Sequence, residues 1–341
     1  MPRPMLLFSV ATLLPLLLIG LAACWGGIWV VLALGYLTVF TAGVDELVKR
    51  VTPPLQSSEF PAADGLSVAL ALGHFGLLAG VVVALSGPAL NPFEKLGLFA
   101  AAGLFFGQVS NSNAHELIHR PGQALHVLGM WVYISLLFGH HTSAHPLVHH
   151  RLVATRADPS SARLGESLYR FAFRAWVGSF RAGLKVESDR LTRIGRPKWR
   201  HPYLIYIGGA VLMVAGAGWI GGITGLLAYL GLCGFAQFQL MMSDYVQHYG
   251  LSRRIGPKGK PEAVGTAHSW NAPHLASSAL MLNAPRHSDH HAHPARAFPA
   301  LDLPSDGPML PRSLPVMACI ALYPRLWRRV MDPRVRIIKQ A

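Results

Sequence analysis

The chain has 341 residues, of which 52% are hydrophobic and 13% are charged, where an average soluble domain is about a quarter charged. This composition excludes an ordinary soluble protein, and in a membrane protein a net charge of +14 is first a topology signal. No interleaving of basic and aromatic residues indicates a nucleic-acid surface. The three cysteines, Cys24, Cys233 and Cys319, form no Cys-x-x-Cys pair, so we expect neither a disulfide framework nor a cysteine-bound iron module.

Six apolar stretches are long enough to cross a bilayer as helices. They are residues 5–23, 25–43, 66–85, 96–112, 203–220 and 222–247. The first also resembles a signal peptide, with a lipoprotein-like cleavage site at 21–24. A second apolar run follows at once without a polar mature sequence, which favours a transmembrane hairpin. Pro53-Pro54 prevents a helix from continuing after the second span, and Gly221-Gly222 marks the turn between the last two.

The distribution of Lys and Arg predicts the orientation of these spans. Of the 30 Lys and Arg residues, only Lys95 falls near a predicted outer loop, which assigns the opposite side to the cytoplasm. Residues 113–202 and 248–341 are then cytoplasmic. If the apolar segment 124–139 also crossed, it would separate two histidine clusters, so we place it in the interface plane or as a re-entrant element packed on protein. The prediction is one all-α integral-membrane domain with six transmembrane helices and a cytoplasmic histidine-rich cap.

Four histidine clusters lie on the predicted cytoplasmic side. They comprise His115 and His119; His145, His149 and His150; His248; and His287, His290 and His291. Residues four apart share one face of a helix, so the two imidazoles of the first cluster can bind one metal region. His145 and His149 are also four apart, whereas His149 and His150 diverge by about 100° around a helix and can therefore serve two different metal ions.

Nine imidazoles exceed the three or four ligands of a tetrahedral zinc site. They suit two metal ions of coordination number five or six with room for oxygen, and two irons are the usual metals for such chemistry. Ligating imidazoles usually donate their other N–H group to a carboxylate or carbonyl. Six residues are candidates for that supporting role, although each could instead be an ordinary polar or solvated residue: Glu116, Asp158, Asp244, His268, His274 and Asp289.

These motifs resemble those of membrane alkane 1-monooxygenases, within the wider family of histidine-rich integral-membrane desaturases and hydroxylases. The matching segments are residues 115–120, 145–150, 153–163, 165–169, 248–250, 286–292 and 330–335. The chain departs from the family pattern at Ala144, Gln247 and Ala284-Pro285. These departures leave all nine histidines in place and bear on the surroundings of the metals and the choice of substrate.

The resemblance implies a centre of two non-haem iron ions that uses O2 to convert the terminal methyl of a medium-chain n-alkane to a primary alcohol. It places this centre at the cytoplasmic side of the bacterial inner membrane. Electrons are expected from rubredoxin and its reductase, because the chain has no four-cysteine module of its own. The basic segment 151–200 fits an acidic carrier or anionic membrane lipid equally well. Gly103 and Gly107 could leave room for an alkane tunnel or allow close helix packing.

Four other functions fit parts of the sequence. A fatty-acyl desaturase or hydroxylase and an aryl-methyl (xylene-type) monooxygenase would share the metal centre. A membrane zinc protease would need only the His-Glu-x-x-His motif of His115, Glu116 and His119 plus one more ligand. A metal transporter should bury its ligands along the spans, whereas these clusters are predicted at one membrane face.

Overall fold

The fold is all-helical in a computed structural model of the chain, which describes residues 3–48, 60–256 and 259–340. The described residues form no β-strand, and only two isolated bridges join Ile255 to Pro261 and Asn271 to Met309. The helical fold class is therefore confirmed for this part of the chain. The predicted break at Pro53-Pro54 lies outside the described residues.

The N-terminal region is a helical hairpin. It consists of α1 (Arg3–Trp25), α2 (Ile28–Gly35), a π-helical turn (Tyr36–Phe40) and α3 (Thr41–Leu47). The hairpin reverses at Gly26 and Gly27, whose φ angles of 60° and 53° are ones that glycine adopts without strain. The Gly27 amide donates a hydrogen bond to Glu94 Oε1 at 2.8 Å, which ties this turn to the first turn of the helix that begins at Pro92.

The next helices form the middle of the bundle. They are α4 (Phe60–Ser86), α5 (Pro92–Phe105), a second π-helical turn (Phe106–Ser110) and α6 (Asn111–His119). The predicted span over 96–112 is thus part of a longer helical rod that carries the first histidine cluster at its end. A Cβ atom on Gly103 or Gly107 would lie 2.2 Å from the side chain of Phe235 or Gln239. Both glycines therefore permit close packing between helices.

The segment predicted to lie in the interface forms α7 (Gln123–Ser135). At a rise of 1.5 Å per residue its 13 residues span about 20 Å, less than the roughly 30 Å of a hydrocarbon core. Val132 and Tyr133 are buried in one apolar cluster with Ala71, Leu117 and Leu240. The segment is therefore packed on protein, between α4, α6 and the long helix that follows.

A helix of 47 residues, Pro202–His248, covers both of the last two predicted spans and is broken at Gly222. The φ of 59° and ψ of −152° at Gly222 are non-helical and suit only glycine. A Cβ atom on Gly225 would lie 3.1 Å from the carbonyl oxygen of Ala217, so the two halves approach each other beside the break. We call the whole element α11 and refer to its C-terminal half by residue number.

The remaining elements form a cap around the ends of these helices. They are α8 (His141–Ala144), a third π-helical turn (His145–His149), α9 (His150–Leu152), α10 (Leu168–Arg193), α12 (Leu275–Leu280), α13 (His287–Ala292), α14 (Leu314–Ala321) and α15 (Pro324–Gln340). Helix α15 buries Trp327, Met331 and Val335 against the end of α11. The Tyr249 hydroxyl also donates to Asp332 at 2.7 Å, which ties α15 to the His-Tyr-Gly motif.

Among the described residues, four helices are long and apolar enough to cross a membrane, judged by length and composition alone. They are Met5–Trp25, Ile28–Leu47, Ala62–Ser86 and Pro202–His248. At 1.5 Å per residue the last would be about 70 Å long if it were straight, more than twice the hydrocarbon thickness, but the break at Gly222 divides it into two halves. The rod formed by α5 and α6 is more polar at its end and does not meet these criteria.

Candidate metal centre

The nine predicted ligands come from four separate parts of the fold. His115 and His119 lie on α6, His248 ends α11, and the other six lie on the third π-helical turn, α9 and α13. Each of the four segments ends or turns at the same place in the bundle. The structure gathers all nine into two adjoining groups, and within each group the potential ligand atoms lie within 4.8 Å of one another.

The first group contains five histidines: His115, His119, His145, His150 and His290. The Nε2 atom of His145 is 2.7 Å from that of His115 and 2.9 Å from that of His150. The Nε2 atoms of His150 and His290 are 3.1 Å apart. We call this the five-histidine group.

The second group contains four histidines: His149, His248, His287 and His291. The Nε2 atom of His287 is 3.0 Å from that of His248 and 3.1 Å from that of His291. The ring of His291 also packs 4.5 Å, centroid to centroid, from the ring of His150 in the other group. We call this the four-histidine group.

A π-helical turn explains how the cluster at 145–150 serves both groups. In an α-helix His145 and His149 would share a face, but a π-helix pairs residue i with residue i+5. The turn over His145–His149 therefore brings His145 to His150 and sends His149 into the other group. Single π-helical turns occur often at functional sites.

The nitrogen geometry fits metal ions better than hydrogen bonds. An Nε2 atom of a neutral imidazole either donates or accepts one hydrogen bond, so the three successive short contacts from His115 through His145 and His150 to His290 cannot all be hydrogen bonds. The buried Nε2 atoms of His119 and His149 have no hydrogen-bond partner among the described residues. Metal–nitrogen bonds of about 2.0–2.1 Å at right angles would separate two nitrogens by about 3 Å, close to the 2.7–3.1 Å observed.

The protein environment keeps most of these imidazoles neutral, which is the form that binds metals. Burial, assisted by the neighbouring His149, lowers the pKa of His115 to about 3. Burial and the surrounding imidazoles also hold the pKa values of six others well below the usual range: His119, His145, His150, His287, His290 and His291.

His149 is the exception because a carboxylate contacts it. Its Nδ1 atom lies 2.8 Å from Asp158 Oδ2. Burial acts to lower the pKa of His149, but the charge and hydrogen bond of Asp158 outweigh this and raise it. Asp158 is itself held by the Ser161 hydroxyl at 2.6 Å and the Ser160 amide at 3.1 Å. Because Asp158 fixes the Nδ1 atom of His149, the Nε2 atom faces the other histidines of the four-histidine group, as in known carboxylate–histidine–metal sites.

The other candidates for a supporting role lie at varied distances from the two groups. The Nδ1 atom of His248 is 3.4 Å from the backbone carbonyl of His268, whose own ring instead contacts Glu262. Asp244 lies one helical turn before His248 and is buried. Asp289 contacts the His293 ring, Arg296 and the Asp302 amide. The partly buried His274 belongs to neither group.

Glu116 would be the general base in the zinc-protease interpretation. Its Oε1 atom instead accepts a hydrogen bond from the Phe298 amide at 3.2 Å and lies 3.7 Å from Arg120. Burial raises the pKa of Glu116 to about 7, despite the opposing charge of Arg120. The carboxylate therefore holds the segment at Phe298 against α6, and it does not line the cavity described next.

A cavity of about 570 Å³ adjoins the two groups. His115, His145 and His287 line it together with His141 and Tyr133. The other walls are mainly apolar and come from the first π-helical turn, α5, α11, the end of α12 and α14: Leu37, Leu104, Phe235, Leu240, Met281 and Leu314. The sequence-based interpretation missed the contribution of α14, because an apolar patch of eight residues is too short to span a membrane.

The other histidines are mostly structural. His74 is buried between the hydroxyls of Ser110 and Ser135 at 2.9 and 2.8 Å. His140 contacts Ser179, and His126 contacts the Ile118 carbonyl. His293 has a side chain that is 54% exposed and belongs to neither group, although it is close to them in sequence.

Comparison with known proteins agrees with this arrangement. The fatty acid desaturase family profile matches residues 95–317, about two thirds of the chain. Alkane 1-monooxygenase 1 of Pseudomonas aeruginosa is 33% identical over 279 residues, which cover 80% of this chain and 73% of the relative. Alkane 1-monooxygenase 2 of the same organism is 33% identical over 293 residues, covering 83% and 78%.

A more distant relative is the xylene/toluene monooxygenase hydroxylase component of Pseudomonas putida. It is 26% identical over 288 residues, which cover 80% of this chain and 73% of the relative. The two alkane 1-monooxygenases are more similar to this chain in sequence, at 33% identity. The chain belongs to the fatty acid desaturase family and, within it, to the alkane 1-monooxygenases.

Proposed function

We propose that this protein is a membrane di-iron monooxygenase that hydroxylates the terminal methyl of medium-chain n-alkanes. In this reaction O2, two electrons and two protons convert the methyl to a primary alcohol and release one water. The observation that carries the proposal is the convergence of nine imidazoles into two adjoining groups at one end of a largely apolar cavity. The similarity to alkane 1-monooxygenases supports the substrate class.

The two groups are the proposed ligands of two iron ions. The five-histidine and four-histidine groups would each hold one ion, since imidazole is a good iron ligand and each group exceeds or equals a tetrahedral set. When bound, the irons supply the oxidising power that an unactivated C–H bond requires and that no amino-acid side chain can provide. We assign Asp158, the His268 carbonyl and their neighbours to the orientation of the rings.

The chain's own residues would position the substrate and exclude water. The apolar walls of the cavity bind a hydrocarbon by removing its surface from water, worth about 25 cal/mol per Å². Because His115, His145 and His287 line the cavity, an alkane methyl can approach the proposed irons directly from it. The exposed apolar side chain of Val39 also lines the cavity, which supports substrate entry from the lipid between α3 and its neighbours.

The membrane arrangement follows from charge and length together. We propose six crossings, with α11 crossing twice and the rod of α5 and α6 crossing once, and α7 packed at the interface. The excess of Lys and Arg on one side supports a cytoplasmic location for the metal centre in a bacterial inner membrane.

The electron donor is proposed to be rubredoxin, reduced by its reductase. All three cysteines are free and scattered, so electrons must come from a separate carrier. The basic segment 151–200 offers a surface for an acidic protein, through residues that are exposed: Arg170, Arg181, Lys185, Arg190, Arg193 and Arg196. Electrostatic attraction of this kind raises association rates and weakens with salt.

Metal analysis combined with turnover tests this function. We expect two irons per chain in the purified protein and rubredoxin-dependent, NADH-dependent formation of octanol from octane. The variant His291→Ala should lose iron and activity, because His291 is 4% exposed and belongs to the four-histidine group. His293→Ala is the matched control, since His293 follows the same helix but belongs to neither group. Iron well below two per chain in wild type, with no octanol, would refute the proposal.

A further inference from the structure

One side of the cavity carries polar atoms that an alkane cannot use. Asp45, at the end of α3, is 3% exposed, and Ser313, just before α14, is 1% exposed. Both line the same cavity as the metal-proximal histidines. Their neighbours in the sequence form an ion pair, in which the Arg312 guanidinium donates to Glu46 Oε1 at 2.8 Å.

Only one of the two Asp45 carboxylate oxygens forms hydrogen bonds with the described residues. Its Oδ1 atom accepts hydrogen bonds from the amides of Ala276 and Ser277 at 2.8 and 3.1 Å, at the start of α12. Its Oδ2 atom is buried and has no hydrogen-bond partner among the described residues. A buried carboxylate oxygen without a donor is costly, so the position of Oδ2 beside a cavity points to a donor supplied by a ligand.

Ser313 presents a second unpaired atom. Its hydroxyl is buried, does not cap α14 and has no partner in the described part of the chain. Three other polar side chains around the cavity form hydrogen bonds within the protein: Thr38 with Leu34, Asn111 with Ala236 and Gln239 with Gly103. Gln108 also has an unpaired oxygen, but it lies on the second π-helical turn and is less buried.

The two unpaired atoms select a particular chemical group. A carboxylate oxygen only accepts, whereas a serine hydroxyl donates or accepts. An alcohol hydroxyl can donate to Asp45 and accept from Ser313 at once. A carboxylate head group would meet the negative charge of Asp45 and offers no hydrogen to donate. The pair therefore favours a ligand that ends in a hydroxyl over a fatty acid.

We propose that the cavity also takes medium-chain primary alcohols, with the hydroxyl bound by Asp45 and Ser313 and the methyl end at His115 and His145. This inference rests on the proposed monooxygenase function and extends its substrates. The product is the α,ω-diol. One methyl C–H bond is broken, one oxygen atom of O2 enters as the new hydroxyl, and the other leaves as water with two protons and two electrons from the same carrier.

The opposite orientation gives a different product, and this makes the inference testable. With the hydroxyl end at the metals, oxidation of octanol yields the aldehyde. The ratio of octanediol to octanal therefore reports which end is held, and loss of folded protein alone does not change it. The assay uses the purified iron-loaded enzyme with its electron donors and octanol, with both products quantified by gas chromatography.

Two variants remove the proposed contacts. Ser313→Ala deletes a hydroxyl that bonds to no described residue, and we expect the diol-to-aldehyde ratio to fall roughly fivefold, as for one neutral hydrogen bond. Asp45→Asn retains the Oδ1 acceptor for α12 but removes the charge, and we expect a fall of about tenfold. Thr38→Val is the control, because that hydroxyl already donates to Leu34 at 2.6 Å, and its ratio should not change.

The outcomes separate this inference from the proposed function. If wild type converts octane to octanol but converts octanol only to the aldehyde, the alcohol site is refuted and the monooxygenase function stands. An unchanged product ratio in both Ser313→Ala and Asp45→Asn also refutes it. If neither octane nor octanol is oxygenated by the iron-loaded enzyme, the proposed function itself fails. Diol formation by wild type, with a diol-to-aldehyde ratio that falls in both variants, supports the alcohol site.

Discussion

Replacing Asp158 by Asn removes the charge that contacts His149 while preserving the size of the side chain. Asp158 accepts three hydrogen bonds: Oδ2 accepts from His149 and Ser161, and Oδ1 accepts from the Ser160 amide. An Asn side chain has one oxygen, so its NH2 group must face either the His149 Nδ1–H or the Ser160 N–H. In both orientations two donors meet: in the first the His149 ring loses its acceptor, and in the second the side chain that holds the ring loses its own bond to the Ser160 amide.

The effect should be confined to the four-histidine group. Loss of a partner that orients a ligating histidine weakens metal binding by about 10–100-fold, which corresponds to roughly 1.4–2.7 kcal/mol. His149 belongs to the four-histidine group, whereas Asp158 contacts no member of the five-histidine group. We therefore expect Asp158→Asn to lose one iron at about 10–100-fold lower chelator concentration than wild type and to retain the other normally.

The assay is dialysis against graded chelator concentrations, followed by measurement of iron per chain. Asp289→Asn is the matched control, because Asp289 is a buried carboxylate that contacts His293, Arg296 and the Asp302 amide but no histidine of either group. Loss of both irons together in Asp158→Asn, or identical behaviour of the two variants, would show that the ring of His149 is not held in the way described.

Two further predictions concern the scaffold. Arg174 donates to both oxygens of Glu166 and to the carbonyls of Pro159 and Ser161. Arg174→Ala should therefore release the loop that carries Asp158 and lower iron retention in the four-histidine group, whereas Arg174→Lys should restore only part of the retention because Lys lacks the planar fork. Equal iron retention in wild type and both variants would contradict this. Gly222→Ala should destabilise the protein by about 1–3 kcal/mol, measured by thermal unfolding in detergent, because Gly222 has a glycine-only backbone conformation, and Gly218→Ala, with no atom within 4 Å of the added Cβ, should not.

The sequence predicted the elements of this fold well where apolar length decides them. The runs at 5–23, 25–43 and 66–85 all form long helical segments. The break at Gly222 falls in the Gly221-Gly222 pair that predicts a turn. Composition could not predict that α14 would line the cavity. An apolar patch of that length looks the same whether it covers a cap or faces a ligand, and only tertiary packing distinguishes the two.

The candidate site was predictable at the level of residue type and spacing. Helical periodicity places His115 and His119 together, and both lie in the five-histidine group. The same periodicity would pair His145 with His149, but the π-helical turn separates them. A single added residue per turn leaves no distinctive pattern in one sequence. The division into five and four therefore depends on backbone geometry and on which segments the fold brings near.

Sequence position also does not show which carboxylates contact the histidine groups. Asp158 and Asp289 both lie close to histidine clusters in sequence, but only Asp158 contacts a histidine of the two groups. Asp45 was not singled out, although an acidic residue at the end of an apolar run is a signal of a functional polar site in a membrane protein. Its proximity to Ser313, far away in sequence, is visible only in the folded chain.

The ligand sets have a consequence for how the protein is made. Four members of the five-histidine group lie between residues 115 and 150, whereas three of the four-histidine group come from residues 248–291. Under the proposed ligation, a ribosome that has synthesised the first half of the chain has already produced nearly all of one iron site and one ligand of the other. The second iron can be held only after the C-terminal cap has emerged. Each iron then joins the two halves of the chain, so metal supply during synthesis would set how much finished enzyme accumulates.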